Sequence, residues 1–453
     1  MKEKRVFPTG NSITYSVESP ELSLEDVSLE MSSYGKGDIR EPFVELVYED
    51  GSVTSDFLYA DMQIIQGKQA LETLPSSYEE NGAVQELTIV LKEKKYDLTL
   101  ELYYAVFEDR DVIVRSAKLV NKGMTAVKLL RLMSLQLDCE NSGYVMSTFN
   151  GSWSREMYRH DTCVEAGKHV NASYTGSSSN RANPFVMLSL PETTEEYGTC
   201  YGFNLIYSGN HYEAAEVNAY GKTRFVMGIN PQTFGFVIEP GAVFETPEAV
   251  MTFSDKGFGG MSIIMHEFVR ECIVRGEWKH KQRPILLNSW EAAYFDINES
   301  KLLKLAKAGK KVGIELFVMD DGWFGSRDDD RKSLGDWNVN TKKLPGGIKG
   351  ICDKVNALGL DFGIWVEPEM VNTDSALYRA HPEWVMEIPG REHSEGRNQR
   401  ILDLANPEVV DYMIEQMTQV FSSANIAYVK WDMNRIFSDY YSKYLQPERQ
   451  GEV

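Results

Sequence analysis

The 453-residue chain is long enough for two or three domains with sizeable cores, and its 42% hydrophobic and 25% charged content is that of a globular protein. A net charge of −20 argues against a nucleic-acid or anionic-membrane surface, because phosphates would be repelled. The five cysteines (Cys139, Cys163, Cys200, Cys272, Cys352) are widely spaced without a CxxC pair, which reads as reduced thiols and not as a disulfide framework or zinc knuckle.

Met1-Lys2-Glu3-Lys4-Arg5 is followed by no apolar signal-peptide core, and no stretch approaches a membrane span, so a cytoplasmic location is expected. Residues 1–256 read as an all-β domain. Short alternating runs recur at Phe43–Tyr48, Leu87–Leu91, Leu98–Leu102 and Val112–Val120. Turn signals separate them: Glu49-Asp50-Gly51-Ser52, Glu80-Asn81-Gly82 and Asn121-Lys122-Gly123. Many strands at close spacing predict a large β-sandwich. Asn150-Gly151-Ser152-Trp153-Ser154-Arg155-Glu156 joins an aromatic to two charges. Ordinary loop chemistry is its first reading, and a site wall built on Trp153 its second.

Residues 257–283 change character. The apolar spacing of Met265, Phe268, Val269 and Cys272 is helical and predicts a linker helix, in which His266 is structural.

From residue 284 to 453 the period switches to strand, helix, strand, helix. Predicted strands are Ile285–Trp290, Ile314–Met319, Asp361–Val366 and Ile426–Val429. Between them, Asn298 caps one helix, Ile348–Leu358 forms a second, and Pro407 opens a third in its first turn. Polar residues follow the same end of every strand, the pattern of a parallel βα array. Four units fit, whereas a complete eight-unit barrel takes about 250 residues, so half a barrel is expected.

Side by side, the strand ends gather Trp290, Asp320, Asp321, Trp365, Glu367, Glu369, Lys430 and Asp432 on one rim. Carboxylates interleaved with tryptophans suit glycoside hydrolysis, which needs two carboxyl groups and an aromatic floor. Lys430, two residues before Asp432 on an extended strand, is expected to hold that carboxyl ionised. A Mg²⁺ or Mn²⁺ site built from Asp320, Asp321, Glu367 and Asp432 is the competing reading, and the ammonium of Lys430 counts against it. Glu367 and Glu369 flank Pro368, where shaping the turn is a sufficient role.

Four runs resemble signatures of the α-galactosidases of glycoside hydrolase family 36. They are Met319-Asp320-Asp321-Gly322-Trp323-Phe324-Gly325, Ser333-Leu334-Gly335-Asp336-Trp337, Gly363-Ile364-Trp365-Val366-Glu367-Pro368-Glu369-Met370 and Val429-Lys430-Trp431-Asp432-Met433-Asn434-Arg435. Gly151-Ser152-Trp153-Ser154-Arg155-Glu156, Asn183-Pro184-Phe185 and Gly235-Phe236 add to the resemblance, which covers nearly the whole chain.

The resemblance implies an α+β multidomain fold: an N-terminal β-supersandwich, then a TIM-type (β/α)8 barrel, of which this chain carries the first half. It also implies retaining hydrolysis of terminal α-galactosides of the melibiose and raffinose type, with Asp432 as nucleophile. Asp320, Asp321, Lys430 and Asn434 would bind sugar hydroxyls, beside Trp431. Trp290 and Trp365 would shape the pocket, Trp153 would reach in from the β domain, and Arg397 would line the aglycone side. No metal or organic cofactor is implied, and the family's bacterial members are often tetramers.

No stretch matches the later barrel strand that carries the family's acid/base aspartate. Arg5-Val6-Phe7-Pro8 resembles an interior point of the family's first domain. The chain is therefore expected to be a fragment cut at both ends. Its alternative reading is a non-catalytic galactoside-binding remnant, and a preference for α-N-acetylgalactosaminides or transglycosylation also stays open. An open sheet edge and an uncovered inner face are expected at Ile314–Val318 and Ile426–Val429, with self-association as the consequence.

Overall fold

The computed structural model describes residues 13–80 and 82–453. Residues 1–8 of the terminal motifs and Asn81 of one predicted turn lie outside the described residues. Two compact units divide between Lys279 and His280.

The first unit is a sandwich of two antiparallel sheets. The larger has ten strands and runs, in spatial order, Leu58–Gln66, Gln85–Glu93, Leu98–Phe107, Val112–Asn121, Ala249–Ser254, Cys200–Leu205, Ala182–Ser189, Val145–Ser152 and Arg155–Cys163. Val243–Glu245 pairs with Val112–Asn121 off this path. The smaller sheet has five strands, centred on Val127–Cys139 and Thr223–Ile229. Strand alternation explains the packing. Leu98, Leu100 and Leu102 share a core with Leu129 and Val226 of the smaller sheet, while Ala105 and Phe107, of opposite parity, join another core on the outer face.

That outer face carries the helix Gly257–Cys272, whose Met261, Met265 and Phe268 complete the second core. A Cβ on Gly202 would sit 2.6 Å from the sulfur of Met261, so glycine is what lets helix and sheet approach. The segment read from sequence as a linker helix is thus packed into the first unit.

In the second unit four strands lie side by side in parallel: β1 Leu286–Asn288, β2 Leu316–Met319, β3 Asp361–Val366 and β4 Tyr428–Trp431. Helices α1 Glu299–Lys311, α2 Gly347–Asn356 and α3 Pro407–Ser422 alternate with them. The Asn298 side chain accepts from the Lys301 N–H at 3.0 Å, and Asn406 from the Glu408 N–H at 3.0 Å, satisfying first-turn donors. Leu302, Ala306, Ile351, Val355 and Val420 of these helices pack with Phe317, Met319, Phe362 and Ile364 in one core. This is the start of a barrel, as the alternation predicts.

Three expectations change. The second strand, expected to expose an edge, is central and fully buried, and the outer positions belong to β1 and β4. The fourth strand runs Tyr428–Trp431, not Ile426–Val429, because pairing with Gly363–Val366 sets its limits and carries Lys430 and Trp431 into the ladder. Hydrophobicity alone ends the strand too early. The inner end of the sheet is not bare either: Trp323, Phe324, Leu334 and Trp337, from the segment after β2, join the same core as Trp365.

Candidate active site

Each strand of the second unit delivers polar side chains at its C-terminal end, where the backbone leaves the sheet. Asn288 ends β1, Asp320 and Asp321 follow β2, Glu367 follows β3, and Asp432 follows β4.

Asp320 is 3% exposed, and its Oδ2 accepts from Lys430 Nζ at 2.9 Å and from Asn288 Nδ2 at 2.6 Å. Its Oδ1 accepts the Asp321 N–H at 2.9 Å. Lys430 therefore serves Asp320 on β2, reaching past β3, and its only ion pair among the described residues is this one. The expected Lys430–Asp432 pairing is corrected: proximity in sequence placed both side chains on one side of the strand, but the deeper carboxylate captures the ammonium.

Asp432 is held otherwise. Its N–H donates to the Val366 carbonyl at 2.8 Å, which continues the ladder one residue past β4. Its Oδ2 accepts from Trp365 Nε1 at 3.0 Å and Asn434 Nδ2 at 2.8 Å. Its Oδ1 accepts the Met433 N–H at 3.2 Å. Two neutral side-chain donors thus hold one oxygen, and the other has the longer contact.

Trp365 is fixed from behind. Its carbonyl accepts from Trp323 Nε1 at 3.0 Å, and its ring lies parallel to that of Phe324 with centroids 6.2 Å apart. Glu367, 1% exposed, accepts the Asn434 N–H on Oε1 at 2.6 Å and Gln399 Nε2 on Oε2 at 3.0 Å. Burial, and then the charges of Asp432 and Asp321, raise its pKa to about 7, against the hydrogen bonds from Asn434.

Other predicted residues lie elsewhere. Asp321 is buried, with both oxygens on Arg327: Nε to Oδ1 at 3.0 Å and Nη2 to Oδ2 at 2.9 Å. Burial pushes this carboxyl up, opposed by Arg327. Arg327 also donates to Asn372 Oδ1 at 2.8 Å and the Lys332 carbonyl at 3.0 Å, so the pair pins the segment after β2. Trp431 points away from Asp432 and donates to Glu369 Oε1 at 2.8 Å. Trp290 opens a short helix, its N–H on Asn288 Oδ1 at 2.7 Å and its ring edge-on to Tyr294 and Phe295. Arg397 is exposed on a turn closed by the Gly396–Gln399 bridge, with φ of 52°. Trp153 belongs to the first unit, at the tip of the Val145–Ser152/Arg155–Cys163 hairpin, and is 86% exposed.

Sequence reading undervalued Glu367 and overlooked Asn288 and Gln399 as site residues. The first two had a signal, since each stands at the end of an apolar strand. Gln399 had none. Among the described residues, no three carboxylate, imidazole or thiolate side chains converge where a metal ion could be held.

Two family models match the chain. Residues 2–239 match the glycosyl hydrolase family 36 N-terminal domain, and residues 243–453 match Melibiase. The chain belongs to glycoside hydrolase family 36. Among curated relatives of this family, α-galactosidase AgaA of Geobacillus stearothermophilus is 45% identical over 95% of the chain and 59% of its own length. The solved family 36 α-galactosidase AgaB of the same organism superposes with a TM-score of 0.96 at 44% identity, over 98% of this chain and 61% of that one. A variant of AgaA in complex with raffinose superposes equally well, at 0.96 and 44%, over 98% and 63% of the two chains. The chain thus spans about three fifths of the length of these family 36 relatives. Among its described residues no helix is long and apolar enough to cross a membrane.

Proposed function

We propose that this chain carries the nucleophile and part of the sugar-binding site of a retaining α-galactosidase acting on α-galactosides of the raffinose type. The observation that carries the reading is the Asp432 carboxylate, tethered through Oδ2 to Trp365 and Asn434, on the rim that holds the Lys430–Asp320 pair. The raffinose complex of the AgaA variant supports the substrate class.

In this reading Oδ1 of Asp432 attacks the anomeric carbon, the bond to the leaving oxygen breaks, and a galactosyl ester forms on Asp432. Water then attacks the same carbon and releases galactose with retained configuration. Lys430 and Asp320 offer a donor and an acceptor to neighbouring sugar hydroxyls, and Trp365 presents its ring edge to the nucleophile. The leaving oxygen needs a proton from a second carboxyl group about 5–5.5 Å from Asp432. Glu367 is a poor candidate, because it is buried and both its oxygens are engaged by Asn434 and Gln399.

The test is covalent trapping with a fluorinated α-galactosyl fluoride, whose fluoride departs without protonation. Mass spectrometry should locate one galactosyl label on Asp432, and Asp432→Ala should abolish it. A folded chain that takes no label, or takes it on another residue, would overturn the proposal.

A further inference from the structure

We propose that Glu367 is a positioning residue for the nucleophile, acting through Asn434; the inference rests on Asp432 being that nucleophile. Four residues close a ring. Glu367 Oε1 accepts the Asn434 N–H at 2.6 Å, and its Oε2 accepts Gln399 Nε2 at 3.0 Å. The Gln399 carbonyl accepts Arg435 Nε at 3.3 Å, and Arg435 is joined to Asn434 by the peptide bond. From this ring the Asn434 side chain extends to Asp432 Oδ2 at 2.8 Å.

Arg435 anchors the far side. It is buried, and its Nη2 donates to the Ser394 carbonyl at 2.9 Å and to Ser438 Oγ at 2.8 Å. A Cβ on Gly396 would stand 2.9 Å from Arg435 Cδ, so the turn bearing Arg397 and Gln399 lies directly on the guanidinium stem. The ring therefore sets two things at once: which way the Asn434 amide points, and where the turn sits. Glu367 is its sole acidic member.

Glutamine should be a workable substitute for the acid. Gln399 Oε1 is buried and has no hydrogen-bond partner among the described residues. An end-over-end turn of that amide lets it accept an N–H from a glutamine at 367, while the new side chain's oxygen still accepts the Asn434 N–H. Alanine offers neither group.

The experiment uses the full chain, with ¹⁵N-labelled tryptophan, and two readouts. The first is the indole N–H resonance of Trp365, assigned by Trp365→Phe, which reports the bond to Asp432 without any reaction. The second is the rate at which the fluorinated galactosyl fluoride labels Asp432. Glu367→Ala and Asn434→Ala should each shift the resonance and slow labelling by about tenfold to a hundredfold, the effect of losing a hydrogen bond to a charged group. The double variant should be no worse than Asn434→Ala alone, and Glu367→Gln should recover most of the loss.

Additive effects in the double variant, or a Glu367→Ala chain unchanged in both readouts, overturn the inference. Should Glu367→Ala not fold, Glu367→Leu enters the same cycle. If the wild-type chain takes no label while the Trp365 resonance still shows the coupling, the functional reading fails, and what stands is only that Glu367 orients the Asp432 carboxyl through Asn434.

Discussion

Replacing Glu367 with glutamine removes one titration from the interior while keeping the side chain's size. Burial, followed by the charges of Asp432 and Asp321, raises this carboxyl from 4.5 to about 7. Arg435 lies beyond Gln399 and is the nearest cation of the ring. In the unfolded chain the group returns to its ordinary value. Between about pH 4.5 and 7 the folded state keeps a proton that the unfolded state has released, so stability falls as pH rises through this window and levels off above it. At about 1.4 kcal/mol per pH unit, the wild-type chain should lose about 3 kcal/mol relative to Glu367→Gln. For a unit of this size that is about 6–12 °C in Tm. Thermal melts of both proteins from about pH 5 to about pH 8, at fixed ionic strength, measure the gap directly. A gap that stays flat would refute the burial argument. A gap moving the other way would mean that ionised Glu367 is stabilised in the fold.

Three further outcomes are expected. Arg327→Met should cost about 3–5 kcal/mol in urea unfolding, since it strands the buried Asp321 carboxyl, and the double change with Asp321→Asn should cost less than the sum. Asn298→Ala should cost about 1 kcal/mol by losing the cap of α1, with no effect on ligand binding. If the proposed sugar site holds 1-deoxygalactonojirimycin, a ligand of an AgaA variant, Lys430→Met should weaken that binding by about tenfold to a hundredfold in calorimetry. An unchanged Kd would remove Lys430 from the sugar site.

Local physics made much of the second unit legible. Asn298 and Pro407 mark helix starts because a helix leaves its first N–H groups unpaired, and both stand where the helices begin. What pairing decides was less visible. β4 extends through Lys430 and Trp431 because β3 offers partners there, whatever their polarity. The run Ser333–Trp337 stands as one signature in the sequence, yet its members separate in space. Asp336 accepts the N–H groups of Ala376 and Leu377 at 2.9 Å each, while Trp337 packs on Phe324 at 4.7 Å. The strand-end position of Glu367 was legible, but its burial could not be read from Glu-Pro-Glu, because segments distant in sequence exclude water there.

The same reasoning explains why the nucleophile candidate is tied to the aromatic core and not to the cation beside it. A lysine on Asp432 would stabilise its negative charge but would also compete with the sugar's anomeric centre for it. The indole of Trp365 donates one hydrogen bond and carries no charge, so in the proposed reaction the carboxylate would keep its electrostatic pull on a developing oxocarbenium ion. Lys430 instead pairs with Asp320, a buried carboxyl whose burial calls for a charged partner. Trp365 keeps its aim because Trp323 Nε1 and the Phe324 ring fix it from below. Removing the Phe324 ring should therefore loosen Asp432 without touching it.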